Sequence, residues 1–202
     1  MPRINVHEIM INRTVTALVV GTLYVAIAMC AVPLLADSWP FGRGDVAGTG
    51  ATKTQLPEKI SLLWELPLGG IGFESTPIIA ENTVFIGDPD GRFFSIDATT
   101  GQEKWRLELE TGFVASASYI DKVIYIGDYD GVLRALDAVT GEEIWTFKAE
   151  MQIDASPTAY GDNLLVTSED GTLYCVKRAS GELIWKYETG DQLRCGASLA
   201  GN

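Results

Sequence analysis

Three tryptophans, Trp105, Trp145 and Trp185, stand 40 residues apart, and so do Gly101, Gly141 and Gly181. Gly91, Gly131 and Gly171 keep the same interval, as do Asp90, Asp130 and Asp170, with no insertion or deletion across three units. A fixed period of about 40 residues marks a repeat architecture, in which each unit buries its apolar face only against its neighbours. The interval therefore governs every later inference about this chain.

The pattern inside a unit is β. Thr83–Gly87, Val123–Gly127 and Asn163–Thr167 are short runs rich in β-branched, aromatic and aliphatic residues, and each leads into a turn closed by glycine, DPDG, DYDG or SEDG. An alternating run follows, Arg92–Ile96, Val132–Leu136 or Thr172–Val176, then a Thr-Gly or Ser-Gly turn and a strand carrying the tryptophan. A shorter stretch such as Ser75–Ile79 or Ala155–Ala159 precedes them. Four strands joined by hairpins in 40 residues is the content of one propeller blade. The tryptophan is large enough to fill the gap left by glycine in a neighbouring unit, which would lock blades side to side.

At these residues the chain resembles the pyrroloquinoline-quinone (PQQ) repeat family of β-propellers, whose docking motif reads Ala-x-Asp-x-x-Thr-Gly-x-x-x-Trp. The second unit matches it throughout, at Ala135, Asp137, Thr140, Gly141 and Trp145. The first departs only at Ser95, keeping Asp97, Thr100, Gly101 and Trp105; the third keeps Gly181 and Trp185 but has Cys175, Lys177 and Ser180 elsewhere. The resemblance implies an all-β fold: an incomplete propeller of about three four-stranded antiparallel blades over residues 60–202, near 75–110, 115–150 and 155–190. The start of a fourth blade falls at 195–202. Ile60–Leu66, with Trp64, is similar to the lone outer strand that completes the last blade of a closed ring. Propellers close with about four to eight blades, so the chain is expected to be a sector, a truncated product or part of an assembly. Its outer faces would then expose apolar surface and strand edges, favouring self-association. Trp39-Pro-Phe-Gly-Arg-Gly is similar to the opening of other exported proteins with this repeat.

The family includes quinoprotein alcohol dehydrogenases and also non-catalytic exported scaffolds such as the BamB-type outer-membrane-protein assembly factor. The resemblance thus implies either a protein-binding scaffold of the cell envelope or a fragment of a PQQ-dependent dehydrogenase. The enzyme branch carries adjacent cysteines, a Glu/Asn/Asp calcium set and a tryptophan platform; this sequence has no adjacent cysteine pair. The scaffold is the reading favoured here: not an enzyme, with no catalytic, cofactor or metal residues assigned, and PQQ and calcium left to the alternative.

Composition narrows the field further. The only histidine is His7, so the repeat region has no imidazole for a Ser-His-Asp or Cys-His nucleophile or a HExxH zinc site. Acidic side chains outnumber basic ones 27 to 15, which argues against nucleic acid and against electrostatic docking on anionic lipid. None of the three cysteines forms a Cys-x-x-Cys pair. From Thr14 to Ala36 the chain is uncharged for 23 residues behind Arg3 and Arg13. That segment is expected to meet a membrane, as a signal peptide cleaved after Ala36, a retained anchor, or a lipidation signal at Cys30. Each places the remainder outside the cytoplasm, in the periplasm or an equivalent membrane-associated space. Residues 37–59, rich in Gly, Ser, Thr and Pro, read as a linker.

Three local features remain. The Asp-x-Asp-Gly turns, Asp88/Asp90 and Asp128/Asp130, look like the start of a calcium loop but lack the downstream glutamate, and read as hairpin turns. Cys175 and Cys195 either pair or pack as separate thiols at small, buried positions. Positions 74, 114, 154 and 194 are equivalent, expected to begin the innermost strands, and read Glu, Val, Asp and Arg. Variation there, in an otherwise repeated frame, marks Glu74, Asp154 and Arg194 as a partner rim or as a merely solvated one.

Overall fold

A computed structural model describes residues 38–45, 47–52, 58–68 and 72–199, and the hydrophobic segment 14–36 with Cys30 lies outside them. Twelve strands fall into three antiparallel meanders. The first blade is β1 (Ile78–Ala80), β2 (Thr83–Gly87), β3 (Arg92–Asp97) and β4 (Glu103–Glu108). The second is β5 (Ser118–Ile120), β6 (Val123–Gly127), β7 (Val132–Asp137) and β8 (Glu143–Lys148). The third is β9 (Thr158–Tyr160), β10 (Asn163–Thr167), β11 (Thr172–Lys177) and β12 (Leu183–Glu188). Strands hydrogen-bond in sequence order within each sheet. This is an all-β partial propeller, and among the described residues no helix is long and apolar enough to cross a membrane.

Local chemistry sets these boundaries. In the first two blades the inner hairpin turns on two residues with positive φ, Glu81–Asn82 and Asp121–Lys122, which matches the twist of the flanking strands. Each third strand carries a register shift at the same repeat position, Ser95/Ile96, Ala135/Leu136 and Cys175/Val176. The core lies between blades. Phe85, Phe93 and Phe113 meet Ile124, Ile126 and Leu136 in one cluster, and Tyr125, Leu133 and Ile153 meet Leu164, Val166 and Tyr174 in the next. The middle blade is thus covered on both faces, whereas β12 is exposed along its whole length.

One local expectation, at the rim positions, is corrected, and two flanking segments lie beside the ladders. Residues 60–66 form no strand ladder; their placement comes from Trp64, whose Nε1 donates to the Ala98 carbonyl at 2.8 Å. Residues 195–199 also form no ladder, although Thr167 Oγ1 donates to Cys195 O at 3.0 Å and Thr158 Oγ1 to Ala197 O at 2.6 Å. Positions 74, 114 and 154 do not begin the inner strands, which start four residues later; they lie in the lead-in to each blade. Side-chain bonds place the first two segments, whereas the lead-ins are held by backbone bonds such as Phe113 N to Asp88 O and Ile153 N to Asp128 O.

Candidate functional site

The docking residues are geometrically uniform. Trp64, Trp105 and Trp145 donate from Nε1 to the carbonyls of Ala98, Ala138 and Arg178, at 2.8, 3.1 and 3.0 Å. Each indole lies on the turn glycine of the next unit: a Cβ added to Gly141, at φ +76°, would sit 2.7 Å from the Trp105 ring. Gly101 and Gly181 receive Trp64 and Trp145 in the same way. Within the turn, Asp97 Oδ1 accepts from the N–H groups of Thr99 and Thr100 and from the Thr100 hydroxyl, and Asp137 Oδ1 from those of Val139 and Thr140. These bonds, led by the Thr100 or Thr140 N–H, hold both carboxyls below the ordinary aspartate value. Ala135 is fully buried, and so is Ser95, whose hydroxyl has no partner among the described residues. Among the described residues no glycine lies against Trp185, which is 41% exposed.

The Asp-x-Asp-Gly carboxylates face inward. Asp88 and Asp128 are 0% exposed. Asp88 accepts from Asp90 N, Arg92 N and Arg92 Nε, and Asp128 from Val132 N and an Arg134 guanidinium nitrogen. Donors from the hairpin therefore occupy the oxygens that a cation would need. Cys175 is buried and Cys195 exposed, and both are free thiols.

Two of the rim positions, Asp154 and Arg194, meet at Glu169, which sequence reasoning did not single out. Arg194 Nε donates to the buried Glu169 Oε1 at 2.6 Å. Gln152 Nε2 donates to Asp154 Oδ2 at 2.9 Å, while Asp154 Oδ1 is enclosed with no hydrogen-bond partner among the described residues. Burial first, and then the Glu169 carboxylate, push the Asp154 pKa up. Glu74 is exposed; burial raises the Tyr129 pKa, and Glu74 and Asp154 raise it further. The signal for Glu169 was present: it takes the repeat position of Pro89 and Tyr129, so this site also varies between blades.

A second feature emerges from the segment read as a linker. Trp39 N donates to Ile79 O at 2.6 Å, and Ile79 N to Trp39 O at 2.9 Å, across the inner edge of the first blade. Tyr119 N donates to Pro40 O at 2.8 Å on the second blade. Gly42 then passes so close that a Cβ would lie 2.8 Å from Ser116 Cβ and 3.0 Å from Ser156 Oγ. Residues 38–45 thus form a strap across the inner strands. Between the strap and the third blade lies a cavity of about 230 Å³, walled by Phe41, Arg43, Ser156, Thr158, Cys195 and Ser198 among others.

Residues 46–129 and 129–195 match the family described as outer membrane protein assembly factor BamB. No curated protein matches the sequence. Among solved structures, the quinohemoprotein alcohol dehydrogenase of Comamonas testosteroni is 22% identical, with a TM-score of 0.64 over 78% of this chain and 28% of its own. A europium-containing methanol dehydrogenase is 20% identical, with a TM-score of 0.63 over 74% and 31%. The computationally designed Ika4 protein is 17% identical, with a TM-score of 0.61 over 68% and 86%. The chain thus spans less than a third of either dehydrogenase, and these likenesses are of fold alone.

Proposed function

We propose, given that this chain belongs to the PQQ-like repeat β-propeller family described as outer membrane protein assembly factor BamB, that it is a non-catalytic protein-binding scaffold. It works outside the cytoplasm, exported or held to a membrane by its N-terminal segment, in the assembly of outer-membrane proteins. The observation that carries this reading is the strap: the inner edges of the first two blades are already occupied by the chain's own backbone at Trp39 and Pro40.

A quinone–calcium centre does not suit the residues present. The strap bonds to the inner edges of the first two blades, Asp88 and Asp128 are committed to hairpin donors, and the sequence offers no adjacent cysteines. The reading therefore carries no cofactor. It includes self-association of the 202-residue chain through the exposed β12 with Leu183, Trp185 and Tyr187, since apolar strand edges of this kind pair readily.

The purified chain is expected to retain a urea-unfolded outer-membrane β-barrel protein on dilution, and to show no dye-linked alcohol oxidation with added PQQ and Ca²⁺. Turnover above the blank overturns the proposal. So does failure to retain the unfolded barrel protein.

A further inference from the structure

Three repeat-equivalent residues on the inner edge are used unequally. Ile79 lies opposite Val84, Tyr119 opposite Ile124 and Ala159 opposite Leu164, so the three backbones share one register. Ile79 makes two backbone–backbone hydrogen bonds to the strap. Tyr119 makes one, because Pro40 accepts through its carbonyl but has no N–H to return. Ala159 makes none with any described residue, although Gly42 of the strap comes close to Ser156, three residues before it. Equivalence with Ile79 points the Ala159 N–H and C=O toward the axis, away from β10. An edge whose backbone groups lack partners is a template for another extended chain.

The approach to that edge is shaped. The cavity under the strap ends at Thr158, one residue before Ala159, and is continuous with the strap interface through Phe41 and Gly42. Arg43 borders it, exposed and with no ion pair among the described residues, while neighbouring Asp45 is committed to Thr49 N and Oγ1. Those bonds hold the Asp45 carboxyl below its ordinary pKa and turn it to its own loop, so the cavity lining carries one anion and one cation, and Arg43 is the cation without an ion pair.

We infer that the inner edge of the third blade binds an extended, carboxylate-bearing segment of a partner protein, pairing with Ala159 as the strap pairs with Ile79 and its acidic side chain meeting Arg43. The inference rests on the scaffold reading and names the kind of segment the scaffold takes. Backbone pairing supplies affinity, and the cavity and Arg43 supply selection.

The test uses the full chain and a labelled peptide, acetyl-Thr-Val-Glu-Val-Thr-amide, followed by fluorescence anisotropy. Ala159→Pro removes the outward N–H without removing a bond to β10. Binding to this variant is expected to weaken about tenfold or more, a loss of about 1.4 kcal/mol. Exchanging the peptide's Glu for Lys, or Arg43→Gln in the protein, should weaken it severalfold. A peptide N-methylated along its pairing edge should not bind, and this comparison stands even where Ala159→Pro fails to fold. No binding of the acidic peptide, equal binding to a folded Ala159→Pro protein, or equal binding of the N-methylated peptide overturns the inference. Retention of the unfolded barrel protein is read separately, so the scaffold reading can survive that result or fall without it.

Discussion

Trp105 and Trp185 occupy the same repeat position but differ in what covers them. Trp105 packs on Gly141 and against Phe85 and Phe93, whereas Trp185 stands on an open face. Trp105→Ala should cost about 3 kcal/mol, the scale of a buried aromatic truncation. Trp185→Ala should cost less than about 1 kcal/mol. Urea titration of the two variants checks this, and equal losses would contradict the docking argument. Ser95 offers the opposite case. Its hydroxyl is buried without a partner where the second blade has Ala135, so Ser95→Ala should stabilise the fold by about 1 kcal/mol in the same titration. The tryptophan–glycine spacing could be read in the sequence because a rigid ring and a positive φ tolerate few substitutes. The orphaned hydroxyl could not, since serine and alanine pattern alike at a small position.

Turns and strap behave differently as elements. The β3–β4 and β7–β8 turns are held by Asp97 and Asp137, whose carboxyls lie below the ordinary value of 3.8 because backbone N–H groups favour the charged form. A depressed folded-state pKa contributes stability that is fully present above the unfolded value and is lost as pH falls through the folded one. Asp97→Asn and Asp137→Asn should therefore lower the thermal midpoint at pH 6 and lose that effect progressively below pH 3.8. A deficit unchanged down to pH 2 would refute the assignment. The β11–β12 turn has Lys177 in place of the aspartate; there Ser180 N and Gly181 N donate to Lys177 O, and Ser180 Oγ donates to Glu182 at 3.1 Å. Strand positions were legible because β-branched and aromatic runs alternate between glycine turns. The strap was not, because Trp-Pro-Phe-Gly-Arg-Gly has the composition of a loop and its pairing partners lie on β1 and β5, far along the chain.

At the scale of the whole molecule, each buried apolar cluster joins two neighbouring blades, as expected for stacked repeats. Trp145 links the second blade to the third through Gly181 and Arg178 O. Trp145→Ala should speed amide exchange in β10 and β11 by about tenfold or more while leaving β2 and β3 nearly unchanged. Uniform loosening of all three blades would show that the units are not coupled pairwise. Before any coordinates, the 40-residue interval was enough to determine the blades, their hairpins and the docking tryptophans, because these depend on local turn geometry and on residues repeated in phase. Tertiary structure alone decided that the strap covers two inner edges and leaves the third open, and that Glu169 draws Arg194 to the rim beside Asp154. Both depend on which distant backbones and charges meet around the axis, and a repeat period carries no information about contacts that break the repeat.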